Sequence, residues 1–162
     1  MERTRTFSWA DPVALEKAAR GLSGLEFLQE GIAGRLPRPP MADLMDFRLV
    51  EADHGRAVFE GQPAEFHYNP IGVVHGGLAA TLLDSAMGCA VHSILPASAG
   101  YTTLEIKVNF IRALTINTGV IRAEARVIHG GARTATAEGH LRDRDGRLYA
   151  HATTTCMIFR PT

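Results

Sequence analysis

The spacing of hydrophobic residues changes twice along this chain, and the first part predicts two short helices. Asp11 can cap a helix that runs to Arg20, and Ser23 can cap a second one that ends at Gly34. Apolar residues recur at helical spacing in both segments. The run Pro37-Arg38-Pro39-Pro40 then predicts a stiff connector with no helix. We therefore expect a helical N-terminal extension over residues 1–42.

The main domain is predicted over residues 43–162, where the apolar pattern becomes mostly alternating. Alternation predicts strands at Phe47–Ala52, Arg56–Gln62, Tyr101–Arg112, Thr118–His129, Arg133–Arg142 and Leu148–Phe159. In the third strand, one face is predicted to carry Leu104, Ile106, Val108 and Phe110. An apolar helix is predicted over about residues 77–95, between the second and third strands. Strands gathered around one helix indicate an α+β domain with an antiparallel sheet.

The apolar residues of this central helix lie on more than one stripe. A helix that is apolar nearly all round is buried on nearly all sides. Because one sheet covers only one side, we expect a second subunit against the other. A homodimer or homotetramer is therefore predicted.

Composition and charge narrow the choice of partners. Lys and Arg together number 17, as do Asp and Glu, so the formal net charge is zero. This balance argues against nucleic acid or an anionic membrane as the main partner. The chain has neither the apolar run of a signal peptide nor that of a membrane span, so a soluble cytoplasmic protein is expected. Cys89 and Cys156 are expected to be free thiols, and the spacing of the seven histidines predicts no metal site.

One carboxylate stands alone in the central helix. Between Glu65 and Glu105, Asp84 is the only formally charged side chain. A carboxylate in apolar surroundings is costly and usually persists because a function requires it, so catalysis is the leading hypothesis. A structural carboxylate that pairs with Arg or Lys is the alternative.

Gly76-Gly77 stand where the same helix is predicted to begin. The first backbone N–H groups of a helix have no internal partner, and glycine allows close approach, so this start can hold an oxyanion or an acyl carbonyl. Asp84 lies eight residues further on, roughly 12 Å along the axis. One ligand atom cannot touch both groups in the same chain. We therefore expect a site that two protomers share across a two-fold axis.

These residues resemble a known family. Asn69, His75-Gly76-Gly77 and Asp84, followed by the strand Thr102–Phe110, resemble the hotdog-fold acyl-CoA thioesterases of the PaaI (phenylacetate-degradation) type. The resemblance covers residues 43–160. It implies a long helix wrapped by a curved antiparallel sheet, assembled into dimers or tetramers. It also implies hydrolysis of an acyl-CoA thioester at the dimer interface, with coenzyme A as part of the substrate and no separate cofactor.

The resemblance also implies catalytic roles. Asp84 would be the nucleophile or the general base, and the Gly76 N–H would bind the thioester oxygen. Asn69 of the facing subunit would hold the attacking water or the carbonyl. His75 would support the turn, and Thr103 would place a hydroxyl near the carboxylate.

Further residues are candidates for binding the substrate. Thr102 is the alternative to Thr103, and the other candidates for the acyl group or coenzyme A are Val74, Gly77, Arg112 and Arg133. Two departures from the family weaken the assignment of Arg112 and Arg133 to the nucleotide part of coenzyme A. Ala113 stands where many relatives have proline, and the loop at 130–132 lacks a second basic residue. The acyl pocket is expected near Phe66, Tyr68, Ile71, Val74, Met87 and the neighbour's strand.

Two other functions stay open from the sequence. The fold could hold acyl-CoA without cleaving it, or it could hydrate enoyl thioesters. For a thioesterase, the lining residues suit either a phenylacetyl-type ring or a medium-length acyl chain.

Overall fold

Three short helices precede the sheet and its long helix. A computed structural model describes residues 2–160. The helices are α1 (Pro12–Ala18), α2 (Gly24–Ile32), α3 (Pro40–Met45) and α4 (Gly76–His92). The strands are β1 (Phe47–Asp53), β2 (Arg56–Gly61), β3 (Gly100–Phe110), β4 (Ile121–Gly130), β5 (Thr134–Asp143) and β6 (Leu148–Phe159).

The six strands form one antiparallel sheet in the order β1-β2-β4-β5-β6-β3. The chain leaves β2, passes through α4 and enters the sheet again at the opposite edge with β3. Helix α4 contacts all six strands, and its buried side chains make the centre of the core. The predicted α+β hotdog fold, with its extra N-terminal helices, is confirmed.

The two predicted N-terminal helices are present with their predicted caps. The Asp11 side chain accepts a hydrogen bond from the Val13 N–H at 2.9 Å. Ser23 and Glu26 form a reciprocal capping box. The prediction that Pro40 is outside any helix was wrong, because Pro40 is the first residue of α3. Proline suits that position, since its missing N–H is not needed there.

Helix α4 ends three residues earlier than the predicted position 95. The Ser93 hydroxyl donates to the Ala90 carbonyl at 2.7 Å and accepts from the Gly55 N–H at 2.8 Å. A serine bonded to nearby backbone competes with continued helix. The helix end is thereby tied to the β1–β2 turn.

A β-bulge in β3 decides which side chains face α4. The pairing with β6 steps from Thr103 to Glu105, so Leu104 is the extra residue and is 55% exposed. Such an insertion reverses the alternation of side chains. The prediction that Leu104 shares a face with Ile106 was therefore wrong. Thr103 faces the helix instead.

The single chain already covers most of α4. Nine of its 17 residues are buried and no residue of the helix is fully exposed, because α2 packs on a side that the sheet leaves open. The all-round apolarity of α4 therefore does not require a second subunit. The homodimer or homotetramer stays a prediction.

Gly24 fixes the extension to the end of α4. Its N–H donates to the Leu95 carbonyl at 3.0 Å, and a Cβ at this position would lie 1.8 Å from the His92 carbonyl oxygen. We expect Gly24→Ala to lower the free energy of unfolding by about 1–3 kcal/mol, measured by urea denaturation. Gly31→Ala is the matched control, since a Cβ there meets no atom within 4 Å and alanine favours helix. Equal stability of the two variants would contradict this packing.

Candidate active site

The start of α4 offers one unbonded amide. His75 is the N-cap residue, and its ring Nδ1 accepts a hydrogen bond from the Gly77 N–H at 2.8 Å. The Gly77 amide is thus engaged, and Gly77 can contribute only its lack of a side chain. Within residues 2–160 the Gly76 N–H has no acceptor. The Gly76 N–H is therefore a free donor at the predicted anion-binding helix start.

Asn69 holds the turn that leads into this helix start. Its Oδ1 accepts from the N–H groups of Ile71 at 3.1 Å and Val73 at 3.3 Å. The His75 N–H donates to the His67 carbonyl at 2.7 Å and fixes the other end of the loop. The Asn69 Nδ2 makes no hydrogen bond in the described part of the chain. It can therefore donate to a ligand or to a neighbouring chain.

A cavity of about 420 Å³ lies beside the helix start. It brings together three of the predicted site residues, Val74, Gly76 and Arg112. The Phe110 ring closes on Gly76 so tightly that a Cβ there would lie 3.1 Å from it. Arg112 is exposed and forms no ion pair with any other residue that the structure describes. Its guanidinium is thus available to an anionic group near Gly76.

Asp84 lies two turns along α4, in partly buried surroundings. Its Oδ1 accepts a hydrogen bond from the Thr103 hydroxyl at 2.9 Å. No Arg, Lys or His of residues 2–160 forms an ion pair with it. The alternative of a structural carboxylate paired with a basic side chain finds no support in this chain. The β3 bulge also settles the choice between the two threonines in favour of Thr103.

The groups around Asp84 carry no competing charge. Burial raises the pKa of the Cys89 thiol to about 12, and the nearby Asp84 charge adds to the rise. Burial likewise raises the pKa of Tyr101 well above its usual value. Both groups stay protonated at neutral pH. Cys89 and Cys156 are free thiols, as predicted.

A second cavity, of about 490 Å³, contains Asp84 and Thr103. Most of its wall is apolar and comes from the N-terminal extension. Phe66, Tyr68, Ile71, Val74 and Met87, near which the acyl pocket was predicted, do not line this cavity, and that pocket stays a prediction. Phe66 and Ile71 are exposed at the surface, and Met87 is fully buried in the core. The extension was missed as a pocket wall, although the apolar stripe of its second helix was visible in the sequence.

Two predicted binding residues lie apart from both cavities. Thr102 is exposed and alternates with Thr103, so it faces away from Asp84. Arg133 is exposed in the β4–β5 turn, next to the end of α4, where Gly130 meets Ile94. Arg112 lies at the start of that helix, about 25 Å away along its axis. One chain therefore does not bring the two arginines together.

The separation of Gly76 from Asp84 persists in the structure. The two residues line different cavities, as their eight-residue spacing predicts. The carboxylate can attack an electrophile or accept a proton from water, and the free N–H can stabilise a developing oxyanion. Residues 2–160 contain no cluster of three or more His, Cys, Asp or Glu side chains that could hold a metal ion. No helix in that range has the length and hydropathy of a membrane span.

This chain is similar to known proteins in both sequence and structure. The model of the thioesterase superfamily matches residues 71–150, a range that includes Gly76, Asp84 and Thr103. A conserved protein of Pseudomonas aeruginosa, PA5202, is 32% identical with a TM-score of 0.71, over 75% of this chain and 95% of that one. A thioesterase family protein of Silicibacter pomeroyi is 26% identical with a TM-score of 0.73, over 83% and 99%. A variant of the phenylacetic acid degradation protein PaaI of Thermus thermophilus is 26% identical with a TM-score of 0.67, over 76% and 100%.

Proposed function

Because the chain belongs to the thioesterase superfamily and is a thioester hydrolase of the PaaI type, we propose that it hydrolyses acyl-CoA at a site shared by two protomers. Membership of an enzyme family leaves no support for the alternative of a binding module without catalysis. The substrate is an acyl-CoA with a medium-length chain or an aryl group. Coenzyme A leaves as the thiol.

The observation that carries this proposal is the state of Asp84. A partly buried carboxylate with a hydroxyl donor, no basic partner in the described chain and an apolar cavity beside it is arranged for reaction. In one route its oxygen attacks the thioester carbon, the C–S bond breaks, and water hydrolyses the mixed anhydride. In the other route it takes a proton from water, which attacks the same carbon. Thr103 holds the carboxylate in place for either route.

The proposal of a shared site is supported by two hydrogen-bond donors that have no acceptor within one chain. The Gly76 N–H and the Asn69 Nδ2 have no acceptor in residues 2–160, and both lie far from Asp84 of the same chain. Strand β3 is an edge of the sheet and exposes Leu104 and Phe110, so it can pair with a second copy. A partner placed along this edge can bring its helix start to Asp84. The partner's N–H then stabilises the oxyanion.

A site shared by two protomers also explains how both Arg112 and Arg133 could bind one substrate molecule. Arg112 and Arg133 lie at opposite ends of α4 in one chain, so an antiparallel neighbour would bring one of each to the same site. Both side chains are exposed and can bind the phosphates of coenzyme A. His75 orients the helix start by accepting the hydrogen bond from the Gly77 N–H.

Complementation between two inactive variants tests whether the active site is shared by two protomers. Asp84→Asn and Gly76→Pro chains are co-expressed with different affinity tags, and the mixed assembly is purified over both tags. In a mixed dimer one site carries both substitutions and the other carries none. We expect about half of the wild-type thiol release from octanoyl-CoA or phenylacetyl-CoA. A mixed assembly as inactive as its parents would show that each site lies within one chain.

A further inference from the structure

We propose that the N-terminal extension, through its residues 15–42, forms the wall that selects the acyl group, in the same chain as Asp84. This inference rests on the proposed function, because it assigns the apolar cavity to the acyl part of that substrate. It assigns to the extension a role in substrate choice, and it makes the acyl pocket a property of one protomer even where the oxyanion donor comes from the other.

The composition of the cavity wall is the first support. Twelve of its 21 lining residues come from positions 15–42. The apolar members from the extension are Leu15, Phe27, Leu28, Ile32, Leu36 and Met41. Strands β1 and β2 complete the apolar wall with Phe47, Leu49 and Phe59. Asp84 and Thr103 line the same cavity, and the two arginines in its wall, Arg38 and Arg48, are paired with Asp43 and Glu60. A mostly apolar cavity that contains the Asp84 carboxylate matches an acyl group whose carbonyl carbon lies at Asp84.

The volume of the cavity indicates the size of acyl group that it can hold. About 490 Å³ falls within the range of pockets for small molecules, about 300–1,000 Å³. Apolar side chains dominate the wall, so each methylene of an acyl chain that is buried there gains favourable transfer from water. A medium-length chain or a phenylacetyl ring therefore gains affinity here. An acetyl group leaves most of the wall uncovered.

The wall is fixed to the main domain at both ends. At one end Gly24 bonds to the Leu95 carbonyl at 3.0 Å and Phe27 packs on the His92 ring. At the other end the Arg38 guanidinium donates to the Phe47 carbonyl at 2.8 Å and pairs with Asp43 at 3.1 Å. The extension thus presents a defined shape to the acyl group. Selection follows from how well the group fills this shape.

Gly31 offers a direct test because it lines the cavity and has open space where a Cβ would be. We expect Gly31→Phe to fill part of the cavity while α2 keeps its fold, since glycine is the weaker helix former. The ratio of kcat/KM for octanoyl-CoA to kcat/KM for acetyl-CoA should fall by at least tenfold. Binding of octanoyl-CoA by the Asp84→Asn protein, measured by calorimetry, should weaken similarly when Gly31→Phe is added.

Gln29→Phe is the matched control, because Gln29 is exposed on the same helix and does not line the cavity. The control should keep the wild-type ratio and the wild-type binding. The same ratio in wild type, Gly31→Phe and Gln29→Phe would overturn the assignment of the extension while leaving thioester hydrolysis intact. Absence of thiol release from every acyl-CoA by the wild type would instead overturn the proposed function.

Discussion

Replacing Asp84 with asparagine should lower kcat for acyl-CoA hydrolysis by about 10²–10⁴-fold while the fold survives. Asparagine has the same shape, and its Oδ1 can still accept the Thr103 hydroxyl hydrogen bond that Asp84 accepts at 2.9 Å. What it loses is the negative oxygen that attacks the carbonyl carbon or removes a proton from water. Thiol release with a colorimetric reagent measures the rate, and urea denaturation measures the stability.

Ser85→Ala is the control for this substitution. Ser85 lies in the same cavity, next to Asp84 in the chain, and has no carboxylate to lose. It should keep most of the turnover, and both variants should unfold within about 1 kcal/mol of wild type. Near-normal turnover in Asp84→Asn would remove Asp84 from the mechanism. A large loss in Ser85→Ala would point to a serine nucleophile instead.

Replacing Gly76 with proline should lower kcat by about 10²–10³-fold, because it deletes an amide of the helix start that has no acceptor in residues 2–160. The backbone conformation at this position suits proline, although a Cβ here would lie 3.1 Å from the Phe110 ring. Gly76 is the first residue of α4, where a helix does not use the N–H, and His75 before it is extended with φ −61° and ψ 134°. The substitution therefore removes a hydrogen-bond donor and keeps the helix. Circular dichroism and thiol release are the two measurements.

Gly76→Ala separates the lost donor from the added bulk. Alanine keeps the N–H, yet its Cβ meets the Phe110 ring at the same 3.1 Å. We expect Gly76→Ala to lose much less activity than Gly76→Pro. Equal losses in the two variants would assign the effect to crowding by Phe110. That result would contradict the proposal that the Gly76 N–H stabilises the oxyanion.

The strands, the central helix and the caps of the first two helices could be predicted because their signals are local. Alternating side chains, Asp11 and Ser23 at helix starts, and the glycines near residue 76 each act within a few residues. Asp84 could be selected as a site residue for a related reason. A single charge in a long apolar run is visible without any knowledge of its neighbours in space.

The parts that the sequence did not predict depend on distant contacts. The bulge at Leu104 follows from pairing between β3 and β6, which no local pattern encodes. The role of the extension depends on how α2 packs against α4, through a glycine whose missing side chain permits close approach of two backbones. Helix α3 was not predicted because Pro40, a residue type that ordinarily signals the end of a helix, is here its first residue.

The attachment of the extension to the rest of the chain has an evolutionary consequence. The residues that give the cavity its shape and the residue that performs the chemistry lie in separate stretches of the gene product. Substitutions among residues 15–42 that spare the Gly24 contact can broaden or narrow the range of thioesters accepted without altering Asp84 or Thr103. The range of substrates of this protein can therefore change through its amino-terminal segment while the reaction centre stays the same.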